Sequence, residues 1–510
     1  MVFSLRTNVF AALSLLLLPV AVRAQYSVQS HLLNVDGDGV PFQVDWNLDG
    51  VPDFLGSNQT NQNLLSANGS YSYKTLVLPS IPQVTGDFNR DGNLDYATGS
   101  NGYLYTYLGN GKGGFTIGPS VTGPSGLGFV VADWNGDGRP DIAAAYDIPS
   151  SSTIGGGFGV AIYLNNGNGF DAGKTVFQTT YPVGSQLGLP RTEPGINAEM
   201  HFVDFALGDF DADGHADLML RTLTSTYNTP EPIPTTTVLL LYGDGKGNFT
   251  AQTVASRDTF DQVTVADMNN DGTSDIVAVN GDTATIYYGH ANRAFTSASV
   301  ATPGGIYLEP MLVDINGDGL KDIVYPASCP STYTCPDVPS GETPIGVITL
   351  TQTPAHTFTS TGFVQVQDVF SASYIGDFNH DGKLDVALHT GSEETGNYQP
   401  NDHLYVLANT RAGASYCPAP AGSGFHICSP ASTASSTSVT FDFSASSIYP
   451  IRKLEVWVDG QKRSETYNSV GEQAFAHVAL KLTAGKHNVS LYSGAYDGSV
   501  QKTSFPLTVK

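Results

Sequence analysis

Short apolar runs recur along this chain from about residue 26 onward, each bounded by Gly, Asn, Asp or Pro. Phe129-Val130-Val131-Ala132 is followed by Ile142-Ala143-Ala144, and similar runs return at Ile276-Val277-Ala278-Val279 and Val386-Ala387-Leu388. Runs this short between turn signals read as buried β-strands. A third run in each unit ends in a Gly-rich turn and an aromatic, as in Tyr107-Leu108-Gly109-Asn110-Gly111-Lys112-Gly113-Gly114-Phe115, and again at 163–170 and 241–249. Asn-Gly and Asp-Gly turns between strands mark hairpins, so a fourth strand, such as Gln252-Thr253-Val254, is expected after each. The turn weakens at 287–295 and its signal is absent at 350–358, which leaves that hairpin without a sequence cue.

Between the first and second runs lies a nine-residue segment that occurs seven times, most plainly as Asp133-Trp134-Asn135-Gly136-Asp137-Gly138-Arg139-Pro140-Asp141. Positions 1, 3, 5 and 9 carry side-chain oxygens. They are Asp45, Asn47, Asp49 and Asp53 in the first loop, Asp87, Asn89, Asp91 and Asp95 in the second, and Asp133, Asn135, Asp137 and Asp141 in the third. The fourth has Asp209, Asp211, Asp213 and Asp217, and the fifth Asp267, Asn269, Asp271 and Asp275. The sixth has Asp314, Asn316, Asp318 and Asp322, and the seventh Asp377, Asn379, Asp381 and Asp385. Hard cations such as Ca2+ take six to eight oxygens, and a tight loop supplies them from alternate positions. Position 6 is always Gly, as a loop curling on an ion requires where the backbone turns left-handed. An EF-hand would need Glu at position 12 and flanking helices. Position 12 is Gly56, Thr98, Ala144, Leu220, Ala278, Tyr325 or Leu388, and strands follow. The pattern therefore implies up to seven Ca2+ sites of a different kind.

Successive loops start 42, 46, 76, 58, 47 and 63 residues apart. A repeat of this length with four antiparallel strands describes a seven-bladed β-propeller. The Asp-x-Asn-x-Asp-Gly-x-x-Asp loops and Asn-Gly-x-Gly-Phe turns resemble the FG-GAP/VCBS repeat family, whose propellers include the head of integrin α chains. The resemblance covers 25–411. It implies that the loop joins the first and second strands of a blade. It also implies that the position-seven carbonyl joins the ligands, here Val51, Asn93, Arg139, His215, Thr273, Leu320 and Lys383. Blade seven has no fourth strand before 417, whereas a spare strand precedes the first loop at 26–33. An open sheet edge exposes unpaired backbone groups, so the N-terminal strand is expected to complete blade seven.

Residues 1–24 read as a secretory signal peptide: Arg6, a mostly apolar stretch, then Val22-Arg23-Ala24 with small residues at the cleavage positions. No other stretch is long enough to span a membrane. The rest is expected to be secreted or held at the cell surface, and monomeric. The formal net charge is −24, and 22 of the 47 acidic residues lie in the seven loops. That acidity argues against nucleic acid as a partner. Four cysteines in an exported chain suggest local bridges, Cys329 to Cys335 and Cys417 to Cys428. The Ala-, Ser-, Pro- and Gly-rich stretch 412–436 reads as a linker. Alternation resumes over 437–510 as a small β-sandwich resembling bacterial immunoglobulin-like modules, with Trp457 expected at the surface opposite Leu454, Val456 and Val458.

No nucleophile elbow, His-Glu-x-x-His, phosphate loop or Rossmann fingerprint occurs. His201, His356, His389 and His403 lack ligand spacing, and Glu393-Glu394 reads as a solvated turn. Long extras at 147–159, 222–237, 327–343 and 391–402 fall between second and third strands, and 181–200 joins blades three and four. All lie on the face away from the Asp loops. Binding residues favour loops on a rigid scaffold. Two functions follow as expectations: a binding or adhesion module for an extracellular protein or glycan, or a carbohydrate-active enzyme with its site in the propeller channel.

Overall fold

The computed structural model describes residues 26–32, 42–55, 61–65, 71–75, 78–80, 82–112, 114–123, 126, 128–149, 154–182, 197–227, 235–257, 260–306, 308–331, 345–366, 370–390, 403–410, 416–467 and 469–510. The leader expected at 1–24 lies outside them. Every regular element among them is a β-strand. No helix among them is long and apolar enough to cross a membrane.

The third repeat shows the plan. Gly128–Ala132, Asp141–Ile148, Ile154–Tyr163 and Lys174–Pro182 pair in that order, each antiparallel to the next. The Asp loop joins the first two strands. The second strand begins as an unbroken buried run, Asp141 to Ala145. Both of its faces meet neighbouring sheets, so it is continuously apolar rather than alternating. Among the described residues, seven antiparallel sheets follow this plan, each with one Asp loop; in the second, both Phe115–Ile117 and Val121–Thr122 pair with Tyr103–Gly109.

Apolar clusters link each sheet to the next. Val44, Tyr96 and Ile142 share one across sheets one to three, and Trp134 and Leu218 share another across three and four. Phe210 with Ile276 joins four to five, Val277 with Ile323 five to six, and Val324 with Val386 six to seven. Phe54 with Phe378, ring centroids 5.5 Å apart, joins seven back to one. The result is a β-propeller-like fold. The N-terminal strand Tyr26–Leu32 pairs with His403–Asn409 at the edge of sheet seven, as expected from the missing fourth strand.

The C-terminal region is a β-sandwich of two sheets. One orders Gly424–Ser429, Ser438–Ser446, Gln473–Lys481 and Ser469–Val470. The other orders Thr433–Ala434, Val500–Val509, Gly485–Ala495, Ile451–Val458 and Gln461–Thr466. Phe441, Phe443, Leu454, Val456, Val489 and Leu491 fill its core. Trp457 faces outward as expected: it is half-buried, and its indole donates to Glu455 at 2.6 Å.

One expectation needs correction, and three others are refined. The stretch 412–436 is not a plain linker: Tyr416 and Cys417 are buried, Gly424–Ser429 is a sandwich strand, and Cys417 is bridged to Cys428. Cys329 is also disulfide-bonded, and its expected partner Cys335 lies outside the described residues. Phe358–Val366 does form a hairpin with Ile345–Gln352. Its turn closes without Gly: Thr353 and Thr357 pair through backbone (2.8 Å) and hydroxyls (2.7 Å), and His356 takes the left-handed position at φ 55°. Strands run into the ends of several far-face extras. Asp217–Tyr227 and Thr235–Gly243 extend into 222–237, and Lys174–Pro182 and Asn197–Gly208 into 181–200. The intervening 183–196, 228–234, 332–344 and 391–402 lie outside the described residues.

Candidate functional site

The Asp loops are built by their own carboxylates. In all seven, the Gly N–H at position 6 donates to the position-1 Asp at 2.6–3.2 Å, from Gly50 to Asp45 through Gly382 to Asp377. In all seven, the position-seven N–H donates to the position-five Asp at 2.8–2.9 Å; Val51, Asn93, Arg139, His215, Thr273, Leu320 and Lys383 are the donors. These Asx turns curl each loop back onto its own carboxylates.

Glycine at position 6 has φ between 75° and 93° throughout. Position 4 is left-handed as well, with Leu48, Arg90, Ala212, Asn270 and His380 at φ 55–61° and Gly136 and Gly317 at 74°. A non-glycine residue there costs about 1–2 kcal/mol. The two glycines at position 4 were the available sequence signal for this second turn.

The ninth-position Asp also ties the fold together. In loops one to five, one oxygen accepts the position-two N–H at 2.8–3.1 Å, as from Phe88 to Asp95. The other accepts a backbone N–H at the end of the third strand: Gly109 to Asp95, Asn165 to Asp141, Gly243 to Asp217, Gly289 to Asp275, Gln352 to Asp322 and Asn409 to Asp385, all at 2.7–2.8 Å. These carboxyls are fully buried. Burial pushes them up to about 9 at Asp53, about 8 at Asp217, Asp275 and Asp385, and about 7 at Asp95 and Asp141, with the other loop carboxylates adding to it. A buried carboxylate cluster is stabilised by a proton or by a cation.

Asp53 Oδ1, Asp209 Oδ1 and Asp385 Oδ2 are buried without a hydrogen-bond partner. Oxygens of Asp209, Asp211 and Asp213 lie within 4.8 Å of one another. Oxygen-only donors with spare, buried lone pairs fit a hard divalent cation. The sulfur-bearing cluster of Cys417, His426 and Cys428 does not, since the disulfide takes both thiols. Of the other residues singled out by sequence, His356 sits in its turn. His389 is buried, and burial pushes it down to about 4. The side chains of His201 and His403, and Glu393-Glu394, lie outside the described residues.

Two inter-sheet devices were not legible beforehand. The apolar residue at position 2 packs on the turn aromatic of the next sheet: Trp46 on Phe115 (centroids 5.0 Å), Phe88 on Phe170 (5.3 Å), Trp134 on Phe249 (5.6 Å). Where the third strand ends in an amide, that side chain donates to the position-two carbonyl of the preceding sheet. Asn165 reaches Phe88, Gln352 reaches Met268 and Asn409 reaches Ile315, at 2.9–3.1 Å. Asn165→Ala leaves the buried Phe88 carbonyl without that donor and should destabilise the protein by about 1–3 kcal/mol. Urea unfolding would measure it against the exposed-turn variant Asn168→Ala; equal losses would contradict the latch.

The sandwich and the segment before it lie against this loop face and touch all seven loops. Gly422 N–H and Gln473 Nε2 donate to the Leu48 and Gly50 carbonyls, and the Tyr449 hydroxyl bonds both backbone groups of Asp87. The Asp133 N–H donates to Tyr496, Arg452 pairs with Asp209 and donates to the Gly214 carbonyl at 3.2 Å, and a side chain on Gly272 would collide with the Tyr467 hydroxyl. Tyr416 bonds Asp314 through its hydroxyl and Gly382 through its N–H. Arg293 also pairs with Asp211 at 2.8 Å, so loop four, with one Asp more than the others, meets two guanidinium groups.

The ring of antiparallel sheets, with one Asp loop at the same place in each, defines a β-propeller-like repeat protein. More particularly, a family model described as the FG-GAP-like repeat matches residues 87–144, 209–278 and 267–325, so the chain carries FG-GAP-like repeats at three positions. Those stretches contain loops two, three, four, five and six. No curated protein matches this chain.

Proposed function

We propose that the chain is a secreted, seven-bladed calcium-binding β-propeller that acts as a binding or adhesion module for an extracellular protein or glycan. Calcium ions held by positions 1, 3, 5 and 9 and the position-seven carbonyl would neutralise the buried carboxylates and stiffen the ring. The loops' oxygen-only donor sets, the Asp209 cluster and the unpartnered buried oxygens support that part of the reading.

The observation that carries the binding role is the placement of the sandwich. It occupies the Asp-loop face, so an external partner meets the opposite face. There the second and third strands run past the ordinary hairpin length in sheets three and four, at Asp141–Ile148 with Ile154–Tyr163 and at Asp217–Tyr227 with Thr235–Gly243. The insertions at their ends are the proposed contact surface. The test is a protein and glycan array probed with the full chain and with three variants in which 183–196, 228–234 or 332–343 becomes a short Gly-Ser turn, the last combined with Cys329→Ser. The expected result is binding without turnover that the shortenings abolish while melting in calcium stays unchanged. If a ligand is found and all three variants bind it normally, the far-face assignment fails.

A further inference from the structure

In loops four and six the sandwich and the segment before it reach the carboxylate that shapes the loop. In loop four, one oxygen of Asp209 accepts from Gly214 N–H and from Arg452, while the other is buried without a partner. In loop six, Asp314 Oδ1 accepts from the Gly317 and Asp318 N–H groups, and Oδ2 accepts from Gly319 N–H and the Tyr416 hydroxyl. The same carboxylate thus faces the loop centre on one side and the sandwich on the other. Apolar contacts reinforce the docking: Tyr449 packs into the cluster of sheets one to three, and Phe475 into that of sheets six and seven. A cavity of about 310 Å3 is lined by Leu207, Val265 and Leu312 from the sheets and by Ile451, Arg452 and Tyr467 from the sandwich.

We propose that the sandwich is an ion-dependent cap: loading of the Asp loops and docking of the sandwich are coupled. This rests on the calcium reading above. An ion at the loop centre fixes the position-one carboxylate, and with it the oxygen that Arg452 or Tyr416 bonds. Without the ion, three or four carboxylates in each loop repel at close range, the loops loosen, and contacts spread over seven loops lose their common register. Coupling of this kind is reciprocal, so whatever docking gains from the ion, ion affinity gains from docking.

The experiment uses the full chain, with calcium or with EGTA, and reads hydrogen exchange by mass spectrometry and bound metal by elemental analysis on the same samples. Chelation is expected to speed exchange about tenfold or more in the docking segments 447–453, 467–473 and 495–499, while Ser438–Ser446 in the sandwich core stays protected. Calcium bound with no change in those segments overturns the coupling. No calcium bound overturns the calcium reading itself and the cap with it. If chelation unfolds the whole chain, the triple variant Tyr416→Phe, Tyr449→Phe, Arg452→Gln decides. Reciprocity requires its calcium affinity to fall, by about fivefold or more for an ordinary coupling, and an affinity equal to that of the unaltered protein overturns the proposal.

Discussion

Exhaustive chelation with EDTA should lower the melting temperature of this protein by on the order of 10 °C or more. Calcium should restore it, and magnesium only poorly. An ion bound by the folded state alone stabilises it by mass action, about 2.7 kcal/mol for each site at a hundredfold its dissociation constant. Several sites add, and the residual protein carries buried carboxylates such as Asp53 and Asp217 with their charge uncompensated or their protons retained. Magnesium demands near-octahedral geometry and sheds water reluctantly, whereas calcium accepts the irregular oxygen sets that such loops supply. A calorimetric trace that does not move after chelation would sink this expectation.

Deleting 25–33 should be the most damaging small truncation. Tyr26–Leu32 forms seven residue pairs with His403–Asn409, and it is the edge strand that completes sheet seven. Its removal leaves a backbone edge without partners. It also weakens the sheet that joins the ring back to sheet one through Phe54, Phe378 and Leu404. The expected loss is about 3–5 kcal/mol, the upper range for a local change. Hydrogen exchange should rise first in Asp385–Thr390 and His403–Asn409. A rise confined to the sandwich would contradict this account of ring closure.

Much of this was legible in the residues because the repeat writes its rule many times over. Asp at 1, 5 and 9 with Gly at 6 located every loop, and the missing fourth strand after 409 pointed back to the N-terminus. Features resting on single contacts were not legible. Thr353 and Thr357 close a hairpin where the expected glycines are absent, and nothing in their spacing announces it. Asn165, Gln352 and Asn409 latch neighbouring sheets from positions that are Gly109, Gly243 and Gly289 in other repeats. The docking of the sandwich depends on Tyr416, Tyr449 and Arg452, residues hundreds of positions from most of their partners, so no periodicity could reveal them. The composition of 412–436 was misleading for the same reason: Ala, Ser and Pro are common in linkers, and only Tyr416 and the Cys417–Cys428 bridge mark the segment as packed.

The central claim is that the Asp loops are calcium sites, and the most direct measurement is the number of calcium ions each chain retains. Protein stripped with EGTA, dialysed to equilibrium against calcium and passed through metal-free gel filtration can be counted by elemental analysis. The account predicts several Ca2+ per chain, up to one for each of the seven loops, with the count reduced by Asp133→Asn combined with Asp137→Asn. A chain that retains no calcium after millimolar equilibration would contradict it.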